Sequence, residues 1–201
     1  MKPRLIVIAG PNGSGKTSVT SEILLDDWAK GCDYINPDNI ARDVFGDWND
    51  HETVIKAAQY AEDWRNRCLA EKRDFVFETV LSVPDKVQFM QRAKDAGFFI
   101  RFFFIATDTP YINVARIVQR VVEGGHSVPT DKIVARYFRS IANGVEGARI
   151  ADRAYFWDNS VDDHAPALLF RTVEGGVAKQ YSALQLHPWG QQVVARLATA
   201  V

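Results

Sequence analysis

The sequence predicts one α/β domain built on a mostly parallel sheet flanked by helices, and three observations predict it. Short runs rich in β-branched and aromatic residues alternate with longer segments of helical periodicity. The first run, Leu5–Ala9, is continuously apolar, as a central strand covered on both faces must be. It leads through a glycine-rich turn, Gly10–Gly15, directly into a helical segment. A chain of 201 residues suits one domain with a substantial core, and no repeat or Pro/Gly/Ser-rich linker divides it, so the domain is expected to span 1–201.

The elements follow in order. A helix is expected to start inside the turn and run through Val19, Ile23 and Leu24, and Cys32–Ile35 reads as a short second strand. His51–Lys72 carries a long helical pattern in Val54, Ala57, Ala58, Ala61, Trp64, Cys68 and Leu69. Phe75–Phe77 is a third strand ending at Glu78-Thr79, and Pro84 opens a helix that Gly97 closes. Phe98–Ala106 is the most apolar strand and the expected centre of the sheet. Two helices, Tyr111–Glu123 and Asp131–Arg149, are joined by Gly124-Gly125-His126-Ser127-Val128-Pro129, and Tyr155–Trp157 is a further strand ending at Asp158-Asn159-Ser160. Ala167–Thr172 and Ala178–Ser182 flank a hairpin turn at Glu174-Gly175-Gly176, and the amphipathic tail Trp189–Leu197 is expected to pack on the sheet.

The balance of 24 basic and 25 acidic residues gives no long-range attraction to nucleic acid or anionic membrane. The apolar N-terminal run is too short for a signal peptide, and no window approaches a membrane span. Cys32 and Cys68 have no metal-ligand spacing and read as reduced thiols of a cytoplasmic protein. The four histidines are scattered, which argues against zinc.

Gly10-Pro11-Asn12-Gly13-Ser14-Gly15-Lys16-Thr17 matches G-x-x-x-x-G-K-[ST], and Ser18 continues it. The glycines let successive backbone N–H groups turn around a phosphate, and the following helix points its positive end at the same anion. Lys16 adds a charge for the β and γ phosphates, and Thr17 a hydroxyl for Mg²⁺. Strand before and helix after supply the confirming context, so ATP with Mg²⁺ is the expected ligand and a P-loop NTPase fold the expected architecture.

Asp38, after the second strand, is either the N-cap of a helix over Ile40–Val44 or the carboxylate that accepts a substrate hydroxyl proton. Glu78 directly after three strand residues is poorly placed for a core and well placed at a strand end facing the loop, where Thr79 and Ser82 add hydroxyls. The plainer alternative makes Glu78-Thr79 a helix cap. Arg116 and Arg120 share a helical face, as do Arg136 and Arg139 on the next helix, with Gly124-Gly125 as a hinge between them. The arrangement suggests a lid over about 111–149 that closes arginines on a triphosphate, although Arg139 fits a solvated surface better. His126 is expected to shape the turn. Tyr60, Trp64 and Phe98–Phe104 fit a core better than a stacking platform, whereas Trp28 and Trp48, beside Asp26-Asp27 and Asp47, fall in loops where they could line a pocket or an interface.

In motif order over roughly residues 4–160 the chain resembles the zeta-toxin family of P-loop kinases: the phosphate loop, Ile35-Asn36-Pro37-Asp38, Phe77-Glu78-Thr79-Val80-Leu81-Ser82, Asn113 to Arg139, and Asp158-Asn159-Ser160. The resemblance implies an ATP-dependent kinase of a nucleotide sugar, UDP-N-acetylglucosamine being the family's known acceptor, and leaves room for an antitoxin protein as partner. By position it implies Lys16 on the transferring phosphate, Thr17 on magnesium, Asp38 as base and Glu78 with Thr79 on the sugar. Arg120 and Arg136 become the lid arginines, supported by Arg116, and Asn159 lies near the adenine. The lid is that of the short, often stand-alone relatives, which leaves two alternatives: a kinase of another hydroxylated metabolite, or a P-loop ATPase acting as a nucleotide switch. Against the second, no strand of four apolar residues ending in Asp is evident, Phe75–Glu78 being the nearest.

Overall fold

Strand β1 (Arg4–Ala9) is buried from Leu5 to Ala9, because sheet neighbours flank it on both sides and side chains cover both faces. The computed structural model describes residues 2–25, 28–46, 50–122, 128–181 and 186–199. After β1 come α1 (Lys16–Leu25), β2 (Asp33–Ile35), α2 (Pro37–Phe45), α3 (His51–Glu71), β3 (Phe75–Thr79) and α4 (Asp85–Asp95). The second half holds β4 (Phe99–Ala106), α5 (Pro110–Val122), α6 (Thr130–Ile150), β5 (Arg153–Asp158), β6 (Ala167–Val173), β7 (Gly176–Gln180) and α7 (Pro188–Ala198).

The seven strands form one sheet in the order β2-β3-β1-β4-β5-β6-β7. The first five in that order are mutually parallel, and β6 and β7 add antiparallel at one edge. β4 is the middle strand, as its apolar run predicts. The parallel strands end together at Ile35, Thr79, Ala9, Ala106 and Asp158, so their carboxyl ends form one rim. β1 and β4 lie side by side there, and the strand order changes direction about them.

Alternation along the strands builds two apolar layers. Leu5, Val7, Phe75, Phe77, Phe102 and Phe104 face one layer, which α3, α4, α6 and α7 cover. Ile6, Ile8, Val76, Phe103 and Ile105 face the other, with Val19 of α1. α6 lies close because Gly144 and Gly147 sit on the rings of Phe104 and Phe102, where an added Cβ would meet ring carbon at 2.9 Å. The tail helix packs as expected, burying Trp189, Val193 and Leu197.

Two expectations change. Trp28, expected in a loop, stacks on Phe103 and Tyr155, at 6.1 and 6.0 Å between ring centroids, as part of the second layer. Asp38 is not the cap of its helix. Asn36 caps α2, its Oδ1 accepting from the N–H groups of Asp38 and Asn39, with Pro37 in the first turn. Asp26-Asp27, Asp47, Trp48, the Gly124-Gly125 hinge, His126 and the side chain of Ser18 lie outside the described residues. Among the described residues no helix is long and apolar enough to cross a membrane, and Cys32 and Cys68 are free.

Candidate active site at the strand rim

The phosphate loop leaves β1 at Gly10 and enters α1 at Lys16. Neighbouring elements hold it from outside. The Gly10 N–H donates to Thr79 O (3.3 Å), Asn113 Nδ2 to Asn12 O (2.6 Å) and Asn159 Nδ2 to Ser14 O (2.9 Å). Asn113 is oriented in turn by the Thr107 hydroxyl. Among the described residues the buried Ser14 Oγ has no hydrogen-bond partner. An orphaned hydroxyl within a ring of backbone amides fits a loop that closes on phosphate oxygens.

Gly15 is fixed by two constraints: φ is +81°, and an added Cβ would stand 2.0 Å from Asn159 Nδ2. Gly15→Ala should therefore displace the side chain that holds Ser14 and weaken ATP binding by about tenfold or more. Titration with a fluorescent ATP analogue reads this, alongside a melting curve showing that the fold survives.

Lys16 Nζ donates to Gly10 O (2.9 Å) and Pro11 O (3.0 Å). Burial draws its ammonium down to about 8, with Glu78 and Asp38 opposing the shift and Arg120 adding to it. A bound polyphosphate favours the charged form, so binding must raise this value. Below pH 8 the lysine is already charged, and binding through it takes up little proton. Above pH 8 it is neutral in the free protein, and binding requires a proton from solvent. Affinity for MgATP should therefore fall by up to about tenfold per pH unit above 8. Calorimetry in two buffers of different ionisation enthalpy should show proton uptake growing from pH 7.5 to 9.5.

Beside the loop, two strand ends and a helix are linked through Glu78 by polar side chains, of which sequence reasoning did not single out Tyr34 and Thr20. Tyr34 Oη donates to Glu78 Oε1 (2.5 Å) and accepts from Asn36 Nδ2 (3.0 Å), while Thr20 Oγ1 donates to the same Glu78 oxygen (2.8 Å). Burial first, then the Glu78 hydrogen bond, raises the Tyr34 phenol well above its ordinary value, so it stays a donor. Asn36 thereby ties the start of α2, and with it Asp38, to Glu78 and α1. Glu78 stands opposite Ile8 on the strand beside β1, and Phe75–Glu78 occupies that place with a glutamate at its end. Tyr34 and Asn36, two apart at the end of a short edge strand, and Glu78 directly after Phe75-Val76-Phe77 were the sequence signals for this chain of hydrogen bonds.

Two cavities open on the rim and meet at the loop. The first, of about 430 Å³, is lined by Lys16, Thr17, Asp38, Glu78, Arg120 and Arg136, together with the segment Thr79–Ser82. The segment is strapped to α6, with Ser140 Oγ donating to Val80 O (2.7 Å) and Asn143 Nδ2 to Leu81 O (2.8 Å). Thr79 Oγ1 accepts from the N–H of Leu81, whose φ is +56°. The second cavity, of about 840 Å³, is lined by Gly13, Gly15, Ile112, Arg116, Asn159 and Asp162, and Arg120 borders both.

The four arginines divide. Arg120 and Arg136 face the first cavity, and Arg136 Nη1 reaches Asn12 Oδ1 at 3.5 Å. Arg116 belongs to the second, where it pairs with Asp162 (2.6 Å) and donates to Asn159 O (2.8 Å). Arg139 is exposed. The span expected as a lid divides too, for α6 from Tyr137 onward is buried at Ser140, Ile141, Gly144, Val145, Gly147 and Ala148. Among the described residues no group of three or more His, Cys, Asp or Glu could cage a metal. Thr17 lines the first cavity beside Lys16, a placement that fits one protein hydroxyl on a phosphate-borne Mg²⁺.

The sequence profile described as Zeta toxin matches residues 1–158. The chain belongs to the zeta toxin family, and by class it is a phosphotransferase. An uncharacterized protein of Haemophilus influenzae is 29% identical over 143 residues, which is 68% of this chain and 94% of that one. The crystal structure of AvrRxo1-ORF1:-ORF2 with ATP superposes with a TM-score of 0.65 at 16% identity, covering 88% of this chain. This chain spans 60% of that one. The PezAT chromosomal toxin-antitoxin system of Streptococcus pneumoniae superposes with a TM-score of 0.60 at 16% identity, covering 98% of this chain and 86% of that one. At these identities the likeness shows the fold, a P-loop NTPase fold.

Proposed function

We propose that this zeta toxin family member transfers the γ-phosphoryl group of ATP to a hydroxyl of a small molecule held beside Asp38. One observation carries the reading: the cavity that contains Lys16, Arg120 and Arg136 also contains an exposed carboxylate with no role in the fold. Among the described residues the Asp38 carboxylate has no hydrogen bond and no ion pair, and the cap of its own helix is Asn36. In the reaction the Asp38 carboxylate takes the proton of the acceptor hydroxyl as its oxygen bonds to phosphorus and ADP leaves. Lys16, Arg120 and Arg136 offset the charge on the phosphate oxygens, and the base of the nucleotide lies in the second cavity, against Arg116 and Asn159. Thr17 would hold Mg²⁺, which neutralises phosphate charge.

UDP-N-acetylglucosamine is the first acceptor to test, on the resemblance of the Asp38 and Glu78 segments. The family and the paired proteins of AvrRxo1 and PezAT support a search for an antitoxin, and free thiols with ATP as donor fit a cytoplasmic enzyme. The ATPase alternative needs a carboxylate at the end of β3 free to align water. Glu78 holds that place, but its Oε1 already accepts from two hydroxyls, which favours transfer at Asp38.

Mass spectrometry after incubation with MgATP and UDP-N-acetylglucosamine should find a product one phosphoryl group heavier. A modified sugar acid or free sugar instead would keep the kinase and replace the acceptor. ADP without any modified acceptor, across nucleotide sugars, sugar acids and free sugars, would contradict the reading.

A further inference from the structure

The wall of the first cavity facing α3 carries a buried cation that the chemistry above does not use. Arg65 is 3% exposed yet lines the cavity. Its guanidinium lies over the face of the Phe77 ring, 5.4 Å from the centroid. Among the described residues it makes no hydrogen bond and no ion pair within 4 Å. Burial lowers its pKa, and Glu62, one turn before it, and Asp85 at the start of α4 oppose that shift through space. Asp85 instead pairs with Lys86 at 2.5 Å. A buried arginine is ordinarily matched by a carboxylate in direct contact, because leaving the charge unpaired is costly. Here the ring supports one face of the guanidinium while its planar fork of donors has no acceptor. Arg65 lines the same cavity as Asp38.

We propose that Arg65 is an anion-binding residue of the acceptor subsite, and that the acceptor therefore carries a phosphate or carboxylate besides the hydroxyl that is phosphorylated. A guanidinium in this setting binds such a group through two parallel hydrogen bonds. It also orients the acceptor, because its anion is fixed at Arg65 while its hydroxyl reaches Asp38. Neutral sugars fill the same volume without satisfying the arginine. The inference rests on the kinase reading for the direction in which the acceptor points, but anion binding at Arg65 stands or falls separately.

The test uses the full chain saturated with Mg²⁺ and a non-hydrolysable ATP analogue, which occupies the phosphate loop. Glucose 1-phosphate and glucose, then UDP-N-acetylglucosamine and N-acetylglucosamine, are titrated as pairs with thermal shift and calorimetry as readouts. The anionic member of each pair should bind roughly ten- to a hundredfold more tightly than the neutral one. In Arg65→Met that preference should vanish, while affinity for the ATP analogue stays unchanged. Arg65→Lys should restore part of it. Methionine removes an unpaired buried charge, so the variant should melt no lower than the original chain. A preference that survives in Arg65→Met, or neutral sugars that bind as well as their phosphates, would overturn the proposal. Lys16-dependent phosphorylation of a neutral sugar at full rate would overturn it while leaving the kinase intact. Anion binding lost with Arg65, in a protein that phosphorylates nothing, would overturn the kinase and leave the anion site standing.

Discussion

Replacing Lys16 by alanine is expected to lower phosphotransfer about a thousandfold or more without unfolding the protein. Its ammonium is held by two loop carbonyls, Gly10 O and Pro11 O, at a place where burial depresses its pKa to about 8. The fold keeps a charge in a poorly solvated position with no salt bridge among the described residues, an arrangement that fits a group facing an anion. Two opposite charges at 4 Å are worth about 4 kcal/mol near a protein surface, which as a barrier difference is close to a thousandfold. The charge also increases on the transferring group, so the loss should appear in kcat as well as in nucleotide affinity. Melting should change little, because a depressed lysine pKa marks a group whose charged form does not favour folding. A Lys16→Ala protein with kcat within tenfold of the original would remove the phosphate loop from the chemistry.

The second large effect is expected from Asp38→Asn. Asparagine keeps the shape of the side chain and cannot accept the hydroxyl proton. Turnover should fall by about 10²- to 10⁴-fold, the usual contribution of a positioned general base. Because Asn36 and not Asp38 caps α2, helix and cavity should keep their geometry. Affinity for MgATP should therefore remain within a few-fold, and the acceptor should still bind. Loss of folding in this variant would show that Asp38 has a structural role that its hydrogen bonding does not reveal.

Most of the architecture was legible because it rests on periodicity and on one glycine-rich turn. Phe98–Ala106 reads as the central strand because it is the most apolar run, and from Phe102 to Ala106 both faces of β4 are buried. Glu78 is noticeable because a carboxylate directly after Phe75-Val76-Phe77 has no place in a core. What escaped was tertiary. Nothing in the spacing of Tyr34, Asn36, Thr20 and Glu78 shows that they share one chain of hydrogen bonds, since they come from three elements up to 58 residues apart. Arg116 and Arg120 share a helical face in sequence, yet Asp162 from the far side of the rim draws Arg116 into the second cavity. Trp28 sits in a loop by composition, but the ring surface of Phe103 and Tyr155 pulls it onto the sheet. Arg65 reads as one more polar residue on a long helix, and only its burial against Phe77 sets it apart.

The central claim is that a hydroxyl held beside Asp38, and not water, receives the γ-phosphoryl group. The most direct measurement follows label from γ-labelled ATP into acceptor and into free phosphate, over a panel of nucleotide sugars, sugar acids and free sugars, for the original chain, Lys16→Ala and Asp38→Asn. Label in one acceptor, nearly absent in both variants, with free phosphate a minor product, is the predicted result. Label released only as phosphate by the original chain, at a rate Asp38→Asn does not change, would contradict it.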